Sequence, residues 1–347
     1  MSDLQTLGNM ALAGEDETLI APCVQCVIYL QHAPTEHLVD FADKAMAALK
    51  SDLGQFVSGR AKRFAAVGPE SDDQFDVLFK KLRPGDQRWM LFRGGAPNSG
   101  VHPATLEITH MPLPPLPTEP DAIAAKLEQL EGLYGTGAAV FMPHVTTLKA
   151  SFMLNHPLSD PDALLEWIKD LQCVKETSFV SGHVGYALIP NIETGNRANM
   201  KLVQEAMAAA LARHPGLDWE DPGSVTAKLV KYWPGHVEFL PRIKRANWLT
   251  LVRNLMLEEL CAGRATVEAA LGKAEEVQLH DLGDGMIIQA GDAPALGDVT
   301  EGNRLPSYRA VARALAGARL PSYKGMGKTF TDDIAQAWLE ALETGDD

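Results

Sequence analysis

The sequence predicts an α+β protein, with mixed or mainly antiparallel sheets flanked by helices and gathered into two packed lobes. Three observations lead there. Strand-period and helix-period segments alternate irregularly, without a repeating β-α-β rhythm. Several strand pairs are joined by connections too short for a parallel crossover. The pattern also restarts near residue 144 of the 347-residue chain. This divides it into a loose leader (1–19), an N-terminal lobe (20–143) and a C-terminal lobe (144–347).

The first strand is expected at about 23–31, where Val24, Cys26, Ile28 and Leu30 share one face and Cys23 points to the other. A helix over 36–50 follows, with Leu38, Phe41, Ala45 and Leu49 at helical spacing. Ser71 caps a short acidic helix over 71–82. Strands are expected at 87–93 and 104–111, then a proline-rich connector at 111–120 and a helix at 121–130. After the restart come a strand at 144–154, a helix begun by Asp160 or Asp162, and a strand at 176–188. Gly182 and Gly185 in that strand predict a bulge or a close approach by another backbone. The helix over 197–216 carries the stripe Met200, Val203, Met207, Ala210 and Leu211, with Gly216 as its stop. A strand over 243–252, a helix through Leu260, two short strands at 277–282 and 285–291, and helices at 307–318 and 331–342 complete the reading.

Charge narrows the function. There are 31 Lys plus Arg against 45 Asp plus Glu, a net of −14. Direct nucleic-acid binding needs a basic face and is disfavoured. A basic protein partner is favoured, because opposite fields steer encounter. No apolar run is long enough for a membrane span, and the N-terminus lacks a secretory pattern, so a cytoplasmic location is expected. The four cysteines make no disulfide framework. Cys23 and Cys26 open a strand rather than a helix, so they point to opposite faces and cannot grip one zinc.

The stretch DLGDGMIIQAGDAPALGD (281–298) raises the possibility of an acidic catalytic or metal loop. Asp284, Asp292 and Asp298 each sit in glycine turn chemistry, and an apolar strand separates the acids, which is no calcium loop. GMGKT (325–329) echoes a phosphate loop but lacks the first glycine and the preceding buried strand. The ten histidines form no metal motif, and no G-x-S-x-G elbow occurs. No catalytic, metal or cofactor residue is therefore assigned. The remaining feature is DWEDPG (218–223), three acids beside a tryptophan, with Pro and Gly that predict an exposed loop. Asp218, Trp219, Glu220 and Asp221 are the candidate partner-binding residues, the bland alternative being a turn with Trp219 tucked into the core.

Several stretches together resemble a bacterial family of type VI secretion immunity proteins. They are FVSGHVGYAL (179–188), HPGLDWED (214–221), IKRANWLTLV (243–252), GMIIQAGDAPALGD (285–298) and YRAVARAL (308–315). The resemblance runs from about residue 140 onward and is loose before that. It implies a non-enzymatic antitoxin that binds a co-produced effector in the cytoplasm. The implied effector is a nuclease of restriction-endonuclease type, such as the VRR-Nuc group, with a basic surface. Two other readings stay open: a hydrolase with a site assembled from scattered His and Asp, and a non-catalytic adaptor of the secretion machinery.

Overall fold

The computed structural model describes residues 2–15, 17–31, 34–58, 65–67, 88–96, 99–110, 145–191, 196–221, 225, 229–233, 236–239 and 241–344. The helices expected at 71–82 and 121–130, and the connector at 111–120, lie outside the described residues. The N-terminal stretch expected to be loose is instead packed. It forms α1 (Asp3–Gly8) and β1 (Leu12–Ala13), which pairs with β2 (Thr18–Leu30). Leu7 is fully buried, and Asp3 accepts a hydrogen bond from the Leu296 amide at 2.9 Å. A buried leucine and a long-range bond hold what polarity alone assigned to solvent.

The helix α2 (Thr35–Leu49) follows β2 and buries the expected stripe of Leu38, Phe41, Ala45 and Leu49. β3 (Gln55–Ser58), β4 (Ala65–Ala66), β5 (Arg88–Arg93) and β6 (Thr105–His110) come next. Then come β7 (Thr146–Phe152), α3 (Pro161–Asp170), the short α4 (Gln172–Lys175) and β8 (Phe179–Pro190). Asp160 caps α3 by accepting from the Ala163 amide at 3.0 Å. α5 (Arg197–Arg213) precedes a hairpin of β9 (Val230–Trp233) and β10 (His236–Phe239), which is not among the elements expected above although the sequence carries the turn dipeptide Pro234-Gly235 between the two runs. β11 (Leu249–Arg253), α6 (Asn254–Leu260), α7 (Arg264–Leu271), β12 (Val277–Asp281) and β13 (Gly285–Ala290) continue the chain. α8 (Pro306–Ala314) and α9 (Asp332–Glu340) end it.

Among the described residues, eleven strands form one sheet, ordered β12-β13-β11-β8-β2-β7-β6-β5-β3-β4 with β1 beside β2. Every pairing between these strands is antiparallel. Strands from both sides of residue 144 share it: β2 is zipped between β7 and β8. That central place explains the near-continuous apolar run of β2, which is buried on both faces. Pro22 lies between Ile20, which pairs with β1, and Val24, which pairs with β7. There the strand has a neighbour only in β8, so a missing amide donor is tolerated.

The two faces differ in chemistry. On one, Val24, Cys26 and Ile28 stand beside Phe152, Ala150 and Leu148 across β7. Trp167 of α3 packs edge-on against both Phe152 and Phe41, so α2 and α3 cover this face. The other face carries Gln25 and Tyr29, with Lys149, Ser151 and His183 opposite them on neighbouring strands or next along. Polar groups enclosed on a central sheet must be satisfied by something above them.

The strand expected over 243–252 begins only at Leu249. Ile243 instead bonds to the C-terminal region, donating to Ala318 at 3.0 Å and accepting from Leu320 at 2.9 Å. The Asn247 amide donates to the Thr250 hydroxyl at 3.0 Å, a side-chain turn that starts the strand late. Gly216 is likewise not the helix stop. α5 ends at Arg213, and Gly216 lies so close to Ala295 that a Cβ would overlap its carbonyl.

Candidate functional site

The segment expected as an exposed acidic loop is folded into the molecule. The Asp218 amide donates to the Tyr186 carbonyl at 2.8 Å, and Leu188 donates back to the Asp218 carbonyl at 3.0 Å. These bonds lay residues 218–220 over the polar sheet face. Asp218 and Trp219 are buried, and only 1% of the Glu220 side chain is exposed. Trp219 packs edge-on against Tyr323 and Phe330, so the tryptophan belongs to the core. The Pro and Gly signals fall on residues 222–223, outside the described residues, and say nothing about the chain before them.

The acids are held by a buried cation. Lys244 Nζ has no exposure and lies 2.7 Å from Asp218 Oδ1, 3.1 Å from His183 Nε2 and 3.2 Å from the Trp219 carbonyl, and it donates to Glu220 Oε2. His183 Nε2 is 3.3 Å from Asp218 Oδ2 and 3.0 Å from Glu220 Oε2. The Tyr29 hydroxyl donates to Glu220 Oε1, and Asn247 Nδ2 donates to Asp218 Oδ2 at 2.8 Å. Burial alone would raise the Glu220 pKa, but Lys244 and His183 outweigh it and hold the carboxyl well below its usual range. Burial, reinforced by the Glu220 charge, pushes the Tyr29 phenol well up, so it stays a donor. Gly185 makes room for this arrangement, because a Cβ there would overlap the Asn247 side chain. The close approach of a backbone expected at these glycines occurs at Gly182, where a Cβ would crowd the Val27 carbonyl, whereas at Gly185 the close neighbour is the Asn247 side chain.

Asp218, Glu220 and His183 present one ligand atom each within 4.8 Å of one another, as a metal site would. They converge on the Lys244 ammonium, which supplies the positive charge at their centre. The hydrolase reading finds its His and Asp together here, but sealed in. His183 is 3% exposed and its Nε2 faces two carboxylates and a lysine. A general base must reach a substrate proton.

Beside this network the polar face opens into a cavity of about 670 Å³. Its floor is sheet: Gln25, Thr105, Glu107, Thr147 and Lys149. Trp219, Glu220 and Asp221 form one wall, with Met326 and Met200 also on the lining. Asp218 does not reach it. Lys149 pairs with Glu107, which also accepts from the Trp89 indole at 3.2 Å. Burial lowers the Lys149 pKa, but Glu107 outweighs it and raises the pKa. Sequence reasoning missed this cavity. Its floor residues come from adjacent strands far apart in the chain, and only correct pairing reveals them.

The other candidates behave as local structure. Asp281 accepts from the Gly283 amide at 3.0 Å and pairs with Arg264, while Asp284 pairs with Arg253. Gly283 at φ +76° makes the turn between β12 and β13. Asp298 pairs with Arg213 at 2.6 Å and caps the turn at Thr300. In 325–329, the Gly325 amide donates to Asp332, and the Met326 amide donates to the Phe330 carbonyl, closing a loop before α9. Cys23 and Cys26 are fully buried, and burial pushes the Cys23 thiol up to about 12.

Comparison with known proteins agrees with the motifs of the second half. Residues 148–341, more than half of the chain, match the family model described as TsiV, type VI immunity for VRR-NUC. A solved structure described as the Pseudomonas aeruginosa T6SS protein PA0821 aligns with TM-score 0.71 at 20% identity, covering 99% of this chain and 90% of that one. At that identity the likeness shows the fold. No curated protein matches.

Proposed function

Because this chain belongs to the TsiV family of type VI immunity proteins for VRR-NUC, we propose that it neutralises a VRR-NUC nuclease effector by tight, stoichiometric binding. The family match is the observation that carries this reading. The action is non-catalytic and takes place in the cytoplasm, where DNA is the nuclease's target. No described helix is long and apolar enough to cross a membrane.

The charge supports the same partner. A nuclease must present a basic cleft to phosphate, and a protein of net charge −14 is drawn to it. Of the four residues singled out in the sequence, Asp221, half-buried at the cavity, is the one we expect to meet a partner, while Trp219 and Glu220 line the cavity as a largely buried wall. Asp218 acts from beneath, holding that wall through Lys244 and Asn247.

The test is co-expression with a VRR-NUC effector from the same genome, followed by co-purification and a DNA-cleavage assay. Survival with intact DNA and a one-to-one complex is the expected result. Death despite good expression of both proteins, with no complex, would end the reading.

A further inference from the structure

The large sheet ends on one side at β12, whose outer edge meets no other strand among the described residues. The register fixes which backbone groups point outwards. The Leu282 amide donates to the Gly285 carbonyl at 2.9 Å, and the Glu276 carbonyl accepts from the Gly291 amide at 2.7 Å. Bonded positions alternate in an antiparallel pair, so Gln278 and His280 also turn their backbone groups to β13. Val277, Leu279 and Asp281 turn theirs away, and among the described residues nothing bonds to their amides or carbonyls.

Such an edge is a template for another extended chain, and proteins usually close it with lysine, proline, a bulge or shortness. β12 has no lysine or proline, and it pairs with β13 over five residues without a register shift. β4, the described strand at the other end, has only two residues. Leu279 sits in the middle of the open edge with 37% of its surface exposed. Against the same strand, a groove of about 480 Å³ lies between the start of α3 and the Gln278–Gln289 pair. An added strand would find main-chain partners along the edge and room for side chains beside it.

What guards the edge is charge. Glu275 and Glu276 are exposed just before β12 and pair with no cation among the described residues. Asp162 faces the groove, and Asp281 shares Arg264 with Glu268. Exposed Lys273 and the Arg253–Asp284 pair leave acid in excess. This guard selects the occupant. Two copies of β12 that use all three outward residues must pair antiparallel about Leu279. Glu275 and Glu276 of one copy would then lie within one position of Asp284 and Asp281 of the other, and each copy carries −14. Like charges so placed repel, whereas a basic chain meets an opposite field.

We infer that β12 is a docking edge for the effector: an extended, basic segment of the nuclease adds to the sheet there as a further strand. This rests on the functional reading above and adds where the partner binds and in what form. It is a contact additional to the one at Asp221. Backbone bonds hold the segment, and the surrounding acid rejects a second copy of this chain.

The test uses the full chain and an inactivated VRR-NUC effector from the same genome. Residue-resolved hydrogen exchange is read on this protein alone and in the complex. The amides of Val277, Leu279 and Asp281 are expected to exchange quickly in the free protein and at least tenfold more slowly in the complex. Those of Gln278 and His280 are expected to be slow in both. Leu279→Pro removes an outward donor and no bond to β13, and it is expected to weaken binding at least tenfold. Glu275→Lys with Glu276→Lys is expected to weaken it several-fold, by a factor that shrinks as salt rises. Outward amides that stay fast in a stable complex overturn the inference and leave immunity intact. So does full affinity in a folded Leu279→Pro protein. Unchanged affinity and salt dependence in the double lysine variant overturn the basic segment. Protection in the free protein that grows with its own concentration assigns the edge to a second copy and overturns the inference too. If Leu279→Pro fails to fold, the exchange pattern of the wild type still decides. If the wild type does not bind the effector, the functional reading falls and the docking edge with it.

Discussion

Replacing Lys244 with methionine keeps the volume of a fully buried side chain and removes one charge. Asp218 and Glu220 then face each other with ligand oxygens within 4.8 Å and no ammonium between them. With an effective dielectric of about 20, their repulsion at that distance is about 3.5 kcal/mol. The variant can escape by protonating Glu220. Starting from the ordinary value of 4.5, that costs about 3.4 kcal/mol at a pH of about 7. The two routes agree with the about 3–5 kcal/mol expected when one partner of a buried ion pair is lost. For 347 residues at about 2.1 cal/mol/K each, the melting point should drop by about 5 °C. Urea unfolding at pH about 7 and about 4 is the assay, both away from the pI of 5.2. The sign of the pH effect is fixed. In the wild type the Glu220 pKa is depressed, so its stabilisation is present above about 4.5 and lost as pH falls towards the depressed value. In the variant, protonation becomes cheap as pH falls through about 4.5, so the gap between the two proteins narrows in acid. Adding Glu220→Gln to Lys244→Met should recover a large part of the loss. A loss below about 1 kcal/mol at neutral pH, or a gap independent of pH, would refute the ion-network account.

Other outcomes follow from the same geometry. Gly185→Ala should cost about 1–3 kcal/mol through overlap with Asn247, and Asn247→Ala in the same chain should return part of it; a Gly185→Ala protein that melts with the wild type would contradict the packing. The shared sheet, with β2 paired to β7 over Val24–Leu30 and to β8 over Ile20–Leu30, should make the lobes on either side of residue 144 unfold together, so tryptophan fluorescence and far-ultraviolet circular dichroism should give one coincident transition; two resolved transitions would separate them. With an aromatic disulfide reagent at neutral pH, half-buried Cys261 should react first, while Cys23, Cys26 and Cys173 should wait for unfolding, because all three are buried and burial pushes Cys23 and Cys173 up to about 12; fast native-state labelling of more than one thiol would contradict this.

The secondary structure was largely legible where periodicity is set by burial. α2, α5, β6 and the β12–β13 hairpin declared themselves through apolar spacing and a Gly-Asp-Gly turn. Failures came where long-range bonds override local pattern. Residues 243–248 look like strand, yet their polar side chains are drawn into the interior by Asp218, Glu220 and Pro215. The mistake at 218–221 is the instructive one. Acidic residues beside Pro and Gly read as surface because burying a charge is costly, and the sequence does not show that Lys244, 24 residues after Glu220, arrives to match it. A signal was present in retrospect: Lys244, Arg245 and Asn247 interrupt an otherwise apolar run, and polar residues in such a run need partners from somewhere.

The buried network also bears on why such a fold would suit an inhibitor. Replacing an ion cluster with apolar groups often stabilises a protein, so the cluster has little reason to exist for stability alone. What it does here is geometric. Tyr29 of β2, His183 of β8, Lys244 and Asn247 converge on two carboxylates two residues apart. Each bond restricts the 218–220 backbone in a different direction, while the Tyr323 hydroxyl accepts from the Asp221 amide at 2.8 Å and fixes the segment's end. An apolar contact would allow that wall to slide. Directional bonds hold it at one position above the floor of β2, β6 and β7. A binder that must capture a toxin tightly gains from a surface that is ordered before contact, since little freedom is then lost on association. On this argument, weakening the network by Asn247→Ala should reduce effector affinity chiefly through a faster off-rate, with the on-rate nearly unchanged because the charge of the surface is the same. Stopped-flow association and dissociation of the purified pair would separate the two rates. An affinity loss carried by the on-rate would mean that the network does not act by holding the wall in place.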